Sequence, residues 1–387
     1  MRVPERERVE QTERERRPGR LALEDGRVFD GCALGAGGTV TGEVCFNTSM
    51  TGYQEVLTDP SYHGQIVALT APHVGNTGVN DEDDQASRPW VAGLIVREAS
   101  PSHSSWRATG SLDSYLERHG VVGATEIDTR ALTRHIRSQG ALRGALSSTV
   151  SDPSELVDIA RASPSYEGRD LVAEVTTAAP YVRAPVEPTT RRVAALDLGI
   201  KRNMVELLGR DGCEVSVLPA ATPAADILAG GYDGVLLSNG PGDPEPLTGV
   251  IATAAELVGK VPVFGICLGH QILSLAVGGS TYKLPFGHRG ANQPVLREGD
   301  GRVEITCQNH GFAVAPGSLE TTAASVTHTN LNDRTIEGIA VDGLAFSVQY
   351  HPEAAPGPRD ARYLFQRFSE LMTGFTASAA GGRSEFS

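Results

Sequence analysis

Two rhythms of apolar and polar residues divide the chain. From residue 192 onward, short apolar runs at Val193–Leu198, Val215–Leu218, Val235–Leu237 and Val261–Ile266 alternate with helix-like segments at 202–210, 223–229 and 247–259. Runs that are apolar throughout, rather than at every second residue, predict parallel strands covered on both faces by helices. Further strands are expected at 302–307, 312–315, 322–329, 336–341 and 344–350. A last amphipathic helix at 359–372 would bury Leu364, Phe365, Phe368, Leu371 and Met372. Before residue 150 the pattern differs. Leu21–Leu23, Asp25-Gly26 and Val28-Phe29 predict a hairpin on a D-G turn. Strands at 39–47, 65–71 and 91–97 follow, with helices at 112–119, 128–139 and 153–162. The helix at 128–139 has Asp128 as N-cap, Ala131, Leu132, His135 and Ile136 on one face, and Gly140 as its stop.

The fold expected is α/β. A mostly parallel sheet with helices on both faces spans 192–373, preceded by a smaller β-rich α+β domain at 21–150. Residues 151–191 connect the two, and Pro180, Pro185 and Pro188 mark 176–191 as a linker. Residues 1–20, nearly all Arg and Glu, and 374–387, small and polar, are expected as loose tails.

Composition narrows the partners. A chain of 387 residues can bury two cores. A net charge of −13 argues against nucleic acid or an anionic membrane as a partner. No apolar run approaches the roughly 20 residues of a membrane helix, and the N-terminus lacks the apolar stretch of a secretory signal. Cys32, Cys45, Cys213, Cys267 and Cys307 are widely spaced with no C-x-x-C pair. They read as reduced thiols of a cytoplasmic protein, not as a disulfide frame or a zinc site.

Cys267 carries the candidate chemistry. It sits where the apolar run 261–266 gives way to a helix, with Gly265 two residues before it and Gly269 two after. This is the G-x-nucleophile-x-G pattern of a sharp strand-to-helix turn. Residues without a Cβ relieve crowding there, and the helix N-terminus favours negative charge on the sulfur. A lone cysteine is more often a small buried hydrophobe; the flanking glycines, apolar strand and amphipathic helix favour the nucleophile.

A thiolate needs a base, and the base an orienting partner. His351 ends the apolar run Leu344–Tyr350 and opens His351-Pro352-Glu353. Proline favours extended geometry before it, so Glu353, two residues on, can return beside the imidazole and fix its tautomer. Alone, H-P-E reads as a surface turn; alongside the cysteine turn it reads as base and orienter. His270 is the competitor, but its position in the helix turns its side chain away from the sulfur. Oxyanion donors are expected at the Leu268 N–H and in the loop Ser238–Pro244, where Gly240 and Gly242 let backbone approach a ligand. An ordinary turn explains that loop equally well. No phosphate-binding G-x-x-x-x-G-K-[ST] loop occurs in the chain.

G-P-G-D-P at 240–244, G-I-C-L-G-H-Q at 265–271 and H-P-E at 351–353, in that order, resemble the class I triad glutamine amidotransferases. The N-terminal half adds F-N-T-S-M-T-G-Y-Q-E at 46–55, T-D-P-S-Y at 58–62 and P-H-V-G-N at 72–76. With D-T-R-A-L-T at 128–133 and D-L-G-I-K-R-N at 197–203, these are similar to the small-chain family of carbamoyl-phosphate synthases. The resemblance implies glutamine hydrolysis by Cys267, His351 and Glu353 through a γ-glutamyl thioester. It implies that glutamine is held by Ser61, Gly240, Gly242, Leu268, Gln271, Asn309, Gly311 and Phe312. It implies no metal site and no cofactor in this chain, with ATP, Mg and bicarbonate used by a large partner chain that turns the ammonia into carbamoyl phosphate for pyrimidine and arginine synthesis. Taken as residues only, Gln308–Phe312 also reads as a turn between two strands. Two other readings stand beside this one: an amidotransferase feeding a different synthetase, and a non-catalytic scaffold on the same fold.

Overall fold

A computed structural model describes residues 17–185 and 188–381, with side chains to residue 375. It divides into two compact units, the first ending at Glu167 and the second beginning at Gly168. The division falls inside the segment expected to connect the domains, because the helix Pro153–Ala162 packs Leu156, Val157 and Ala160 into a core cluster with Ala22 and Ala145 of the first unit.

In the first unit β1 (Pro18–Leu23), β2 (Val28–Gly35), β3 (Thr39–Asn47), β4 (Gln65–Leu69), β5 (Gly93–Ile95), β6 (Val122–Thr125) and β7 (Leu142–Ser147) close into a barrel in the order β1-β2-β6-β5-β4-β3-β7. The pairs β3–β4, β4–β5 and β5–β6 are parallel and the others antiparallel. The D-G hairpin forms, with Gly26 at φ 98°. Helix Thr129–Gln139 begins as expected, Ala131 N–H donating to Asp128 Oδ1 at 2.9 Å, and stops at Gly140. The charged tail ends sooner than expected: Pro18 already belongs to β1, whose Pro18 faces Cys32. Residues 1–16 lie outside the described residues.

The second unit is one ten-stranded sheet. Its strands are β8 (Tyr181–Arg183), β9 (Arg191–Asp197), β10 (Cys213–Pro219), β11 (Gly234–Leu237), β12 (Val263–Ile266), β13 (Thr281–Arg297), β14 (Val303–Val314), β15 (Ser325–Asn330), β16 (Ile336–Val341) and β17 (Ala345–Val348). The order β10-β9-β11-β12-β17 is parallel throughout. Successive residues enter opposite cores: Ala194, Leu196 and Leu237 face one with helices Ala224–Ala229, Thr248–Leu257 and Leu268–Ala276, while Val193, Ala195, Leu236 and Phe264 face the other with Arg202–Arg210 and Tyr363–Gly381. That explains the unbroken apolar runs. Stacking of Phe264 on Phe346, with ring centroids 4.4 Å apart, anchors the second core.

Three expectations are corrected. The strands read at 302–307 and 312–315 are one strand, β14, so Gln308–Phe312 is not a turn. β13 escaped notice because Pro285, Gly287, Gly290 and Pro294 interrupt its alternation, and its register to β14 shifts twice. The last helix runs on to Gly381, past the tail expected from 374; residues 382–387 lie outside the described residues. Among the described residues no helix is long and apolar enough to cross a membrane.

Candidate active site

The carboxyl ends of four parallel strands deliver the site, as open α/β sheets do. β9 leads into Leu198–Lys201, β11 into the loop from Ser238, β12 into Cys267, and β17 into Gln349–Glu353. Cys267 caps helix Leu268–Ala276 with φ 55° and ψ −105°, a conformation that side-chain-bearing residues avoid. Such a residue stores about 1–3 kcal/mol and persists only where its surroundings hold it. Here Cys267 N–H donates to Val348 O at 2.9 Å, and the N–H groups of His270 and Gln271 donate to Cys267 O at 3.0 and 3.2 Å. The flanking glycines are obligatory. A Cβ on Gly265 would lie 2.5 Å from Gly269 O, and one on Gly269 would lie 2.1 Å from Leu237 O.

His351 N–H donates to Cys307 O at 2.8 Å, and Ala354 N–H donates to His351 O at 3.1 Å. The imidazole and Glu353 therefore meet across a turn with Pro352 at its second position, not along an extended chain. Glu353 Oε1 stands 2.7 Å from His351 Nδ1. This directs Nε2 away from the carboxylate; Nε2 is buried without a formed hydrogen bond among the described residues, and the nearby Cys267 sulfur acts on it electrostatically. Burial alone would lower the affinity of the ring for a proton, but Glu353 and then Cys267 outweigh it and raise the pKa to about 10.

Lys201 completes the array. Its Nζ donates to Glu353 Oε1 and to Ala354 O, both at 2.7 Å. Burial alone would raise the pKa of Glu353; the charge of Lys201, followed by that of His351, brings it down to about 2. Asn203 Nδ2 donates to the Glu353 carbonyl and fixes the turn from the other side. Lys201 lies in the D-L-G-I-K-R-N stretch, but the sequence reading gave it no role. Its signal is a lysine just past the buried run that ends at Ile200, which cannot stay charged there without a partner.

Of the other expected residues, Asn309 touches the sulfur itself. Cys267 Sγ lies 3.6 Å from Asn309 O and 3.8 Å from Gln349 Nε2. Gln271 Nε2 donates to Phe312 O at 2.8 Å and to Gln349 Oε1 at 3.1 Å, tying the nucleophile helix to β14. Gln349 is a second residue that the sequence reading passed over. Leu268, first in its helix, has an N–H outside the helical ladder. The Ser238–Pro244 loop is bonded to the turn by Gly269 N–H, which donates to Ser238 O at 3.0 Å. A Cβ on Gly240 would lie 2.1 Å from Leu198 O and 2.7 Å from Leu268 Cδ2, and Gly242 has φ 91°. Gly311 lies within β14 between Asn309 and Phe312. His270 is not the base. It is fully buried, its Nδ1 is 2.8 Å from Ser347 Oγ, and burial holds its pKa down at about 3. Ser61 belongs to the first unit, buried in the turn Pro60–Tyr62, its N–H donating to Asp59 Oδ1 at 2.9 Å.

Comparison with known proteins gives the family. Residues 21–146 match the family described as carbamoyl-phosphate synthase small chain, CPSase domain, and residues 194–371 match glutamine amidotransferase class I. The chain is 57% identical over 365 residues to the carbamoyl phosphate synthase small chain of Syntrophotalea carbinolica, covering 91% of this chain and 97% of that one. It is 54% identical over 372 residues to the protein of that name from Synechococcus, covering 92% and 94%. Against the one from Streptomyces avermitilis the figure is 52% over 366 residues, covering 92% and 96%.

Proposed function

Because the chain belongs to the family of carbamoyl-phosphate synthase small chains, we propose that its glutaminase chemistry runs through Cys267, His351 and Glu353. His351 Nε2 carries the proton given up by the thiol, and the sulfur attacks the side-chain carboxamide carbon of glutamine. The oxyanion that forms is met by the Leu268 N–H and by backbone of the Gly240–Gly242 loop, whose donors are in place before charge develops. The imidazolium then protonates the leaving nitrogen, and ammonia departs. Water, deprotonated by the same ring, cleaves the γ-glutamyl thioester and releases glutamate. Glu353 holds the ring in one tautomer and balances its charge, while Lys201 keeps Glu353 ionised.

Gln271, Asn309, Gly311 and Phe312 would receive the amino-acid head of glutamine, and the family resemblance adds Ser61. The observation that carries this reading is the buried Lys201–Glu353–His351 relay ending at a cysteine held on a strained corner.

A small chain implies a large one. Ammonia released into water at neutral pH is protonated and ceases to be a nucleophile, so it must pass directly to that partner. There it would combine with bicarbonate at the expense of ATP and Mg to give carbamoyl phosphate for pyrimidine and arginine synthesis in the cytoplasm. The chemistry assigned to this chain uses side chains and backbone only. The test pairs the chain with its large partner and supplies labelled glutamine. A covalent adduct on Cys267 is expected and should vanish in Cys267→Ser. That variant should lose glutamine-driven synthesis and keep ammonia-driven synthesis; equal loss of both would overturn the proposal.

A further inference from the structure

Behind residues 308–312 lies a buried cluster that the chemistry above does not use. His288 of β13 faces His310 of β14 in register, their rings edge to face at 4.9 Å. Glu337 of β16 closes the third side, and ligand-capable atoms of the three residues lie within 4.8 Å of one another. Their exposures are 7%, 5% and 0%.

The bonds that these residues make elsewhere determine which atoms are left. His288 Nε2 is 2.7 Å from Asp333 Oδ2. Its Nδ1 is buried with no hydrogen bond, 3.7 Å from Glu337 Oε1. His310 Nδ1 is 2.7 Å from the Phe312 carbonyl, so it carries the proton, and Nε2 is left with a lone pair 3.0 Å from Gln308 Oε1. Glu337 Oε1 accepts from Asn330 Nδ2 at 2.9 Å, whereas Oε2 is buried with no partner. With the His288 ring uncharged, acceptor atoms converge, and among the described residues no donor bonds to His288 Nδ1 or Glu337 Oε2. Buried acceptors in that state are costly unless a cation sits among them.

We propose that His288, His310 and Glu337 bind a divalent transition-metal ion of the zinc class. Two imidazoles and a carboxylate are ligands that zinc accepts, and the Gln308 amide oxygen lies beside them, 3.0 Å from His310 Nε2. The outer partners are present too: Asp333 on the far nitrogen of His288 and the Phe312 carbonyl on that of His310 fix both tautomers, as carboxylate and carbonyl partners do for metal-bound imidazoles. Sealed from solvent by the burial of all three ligands, the ion is structural. It ties β13, β14 and β16 together directly behind Asn309, Gly311 and Phe312. The rival occupant is a proton: a His288 imidazolium between Asp333 and Glu337, with the Gln308 amide reversed, would satisfy the same atoms.

The experiment separates the two. Full-length Cys267→Ser protein, which lacks the active-site thiol, is stripped with chelator and titrated with Co2+ and then Zn2+. Expected are visible d–d bands saturating at a stoichiometric amount of Co2+, their loss on adding Zn2+, and a higher unfolding temperature with metal than without. His288→Asn and Glu337→Gln should each weaken Co2+ binding at least tenfold. The Cys267→Ser parent decides alone should those variants fail to fold: no cobalt bands, with an unfolding temperature indifferent to Zn2+, would show that a proton holds the cluster. Undiminished Co2+ binding by folded His288→Asn and Glu337→Gln would equally overturn the site.

Discussion

Lys201 and Glu353, separated by 152 residues in sequence, form a fully buried ion pair with Nζ 2.7 Å from Oε1 and exposures of 1% and 0%. Breaking such a pair by removing one partner strands the other charge, which costs far more than the net worth of the pair. In Lys201→Met the carboxyl of Glu353 should regain protons and lose its hold on His351. We expect kcat for glutamine hydrolysis to fall roughly 10²-fold, within the range that acid–base groups contribute, with little change in KM. The acid limb of the pH–kcat profile should move to higher pH. A drop in KM performance with an unshifted profile would mean that Lys201 is only a packing element.

The same pair sets an acid dependence. Glu353 has a folded-state pKa of about 2, below its ordinary 4.5. Its stabilising contribution is therefore complete above about pH 4.5 and is lost as pH falls through about 2. The difference in urea midpoint between wild type and Glu353→Gln should be level from pH 7 to 5 and shrink below 4.5. A gap that persists undiminished into strong acid would contradict the assignment.

Backbone strain at Cys267 gives an inverted ranking. Glycine ordinarily costs about 0.5–1 kcal/mol relative to alanine. At φ 55° and ψ −105° the strain relieved is about 1–3 kcal/mol. Cys267→Gly should therefore unfold at a denaturant concentration equal to or higher than Cys267→Ala, both being inactive with glutamine. Cys267→Ala emerging clearly more stable would show that the corner is relaxed.

Two helix glycines should respond with opposite sign. Gly269→Ala drives a methyl to 2.1 Å from Leu237 O, and overpacking of this kind costs about 1–3 kcal/mol or more. Gly249, in helix Thr248–Leu257, has nothing within 4 Å of an added Cβ. Gly249→Ala should stabilise by about 0.4–1 kcal/mol. Chemical denaturation of the two variants checks both signs.

Ser61→Ala should raise the KM for glutamine and leave kcat largely intact, since the hydroxyl is assigned to binding and not to bond-breaking. Steady-state glutaminase kinetics on the complex with the large chain reads this directly. An unchanged KM would remove Ser61 from the site.

What could be read in advance was local. The cysteine corner is legible because Gly265, Cys267 and Gly269 fall at alternate positions of one five-residue stretch, and the parallel core because both faces of each strand are buried. Lys201 was not legible as a partner of Glu353, because nothing near either residue in sequence announces the other. β13 was hidden by its own glycines and prolines, which permit the bulges that carry it past His288 and Arg289. The closing of the first unit into a barrel depends on antiparallel pairings between strands far apart in sequence, β1–β7, β2–β6 and β3–β7, and alternation alone does not specify those.

That barrel has a consequence for association. A strand ring joined end to end exposes no row of idle backbone donors and acceptors, so another polypeptide has nothing there to zip onto. The sheet of the second unit does have two margins, β8 and β14, the latter partly covered by its pairing with β16 and by His351 N–H on Cys307 O. Any misassembly by strand addition should begin at one of those margins.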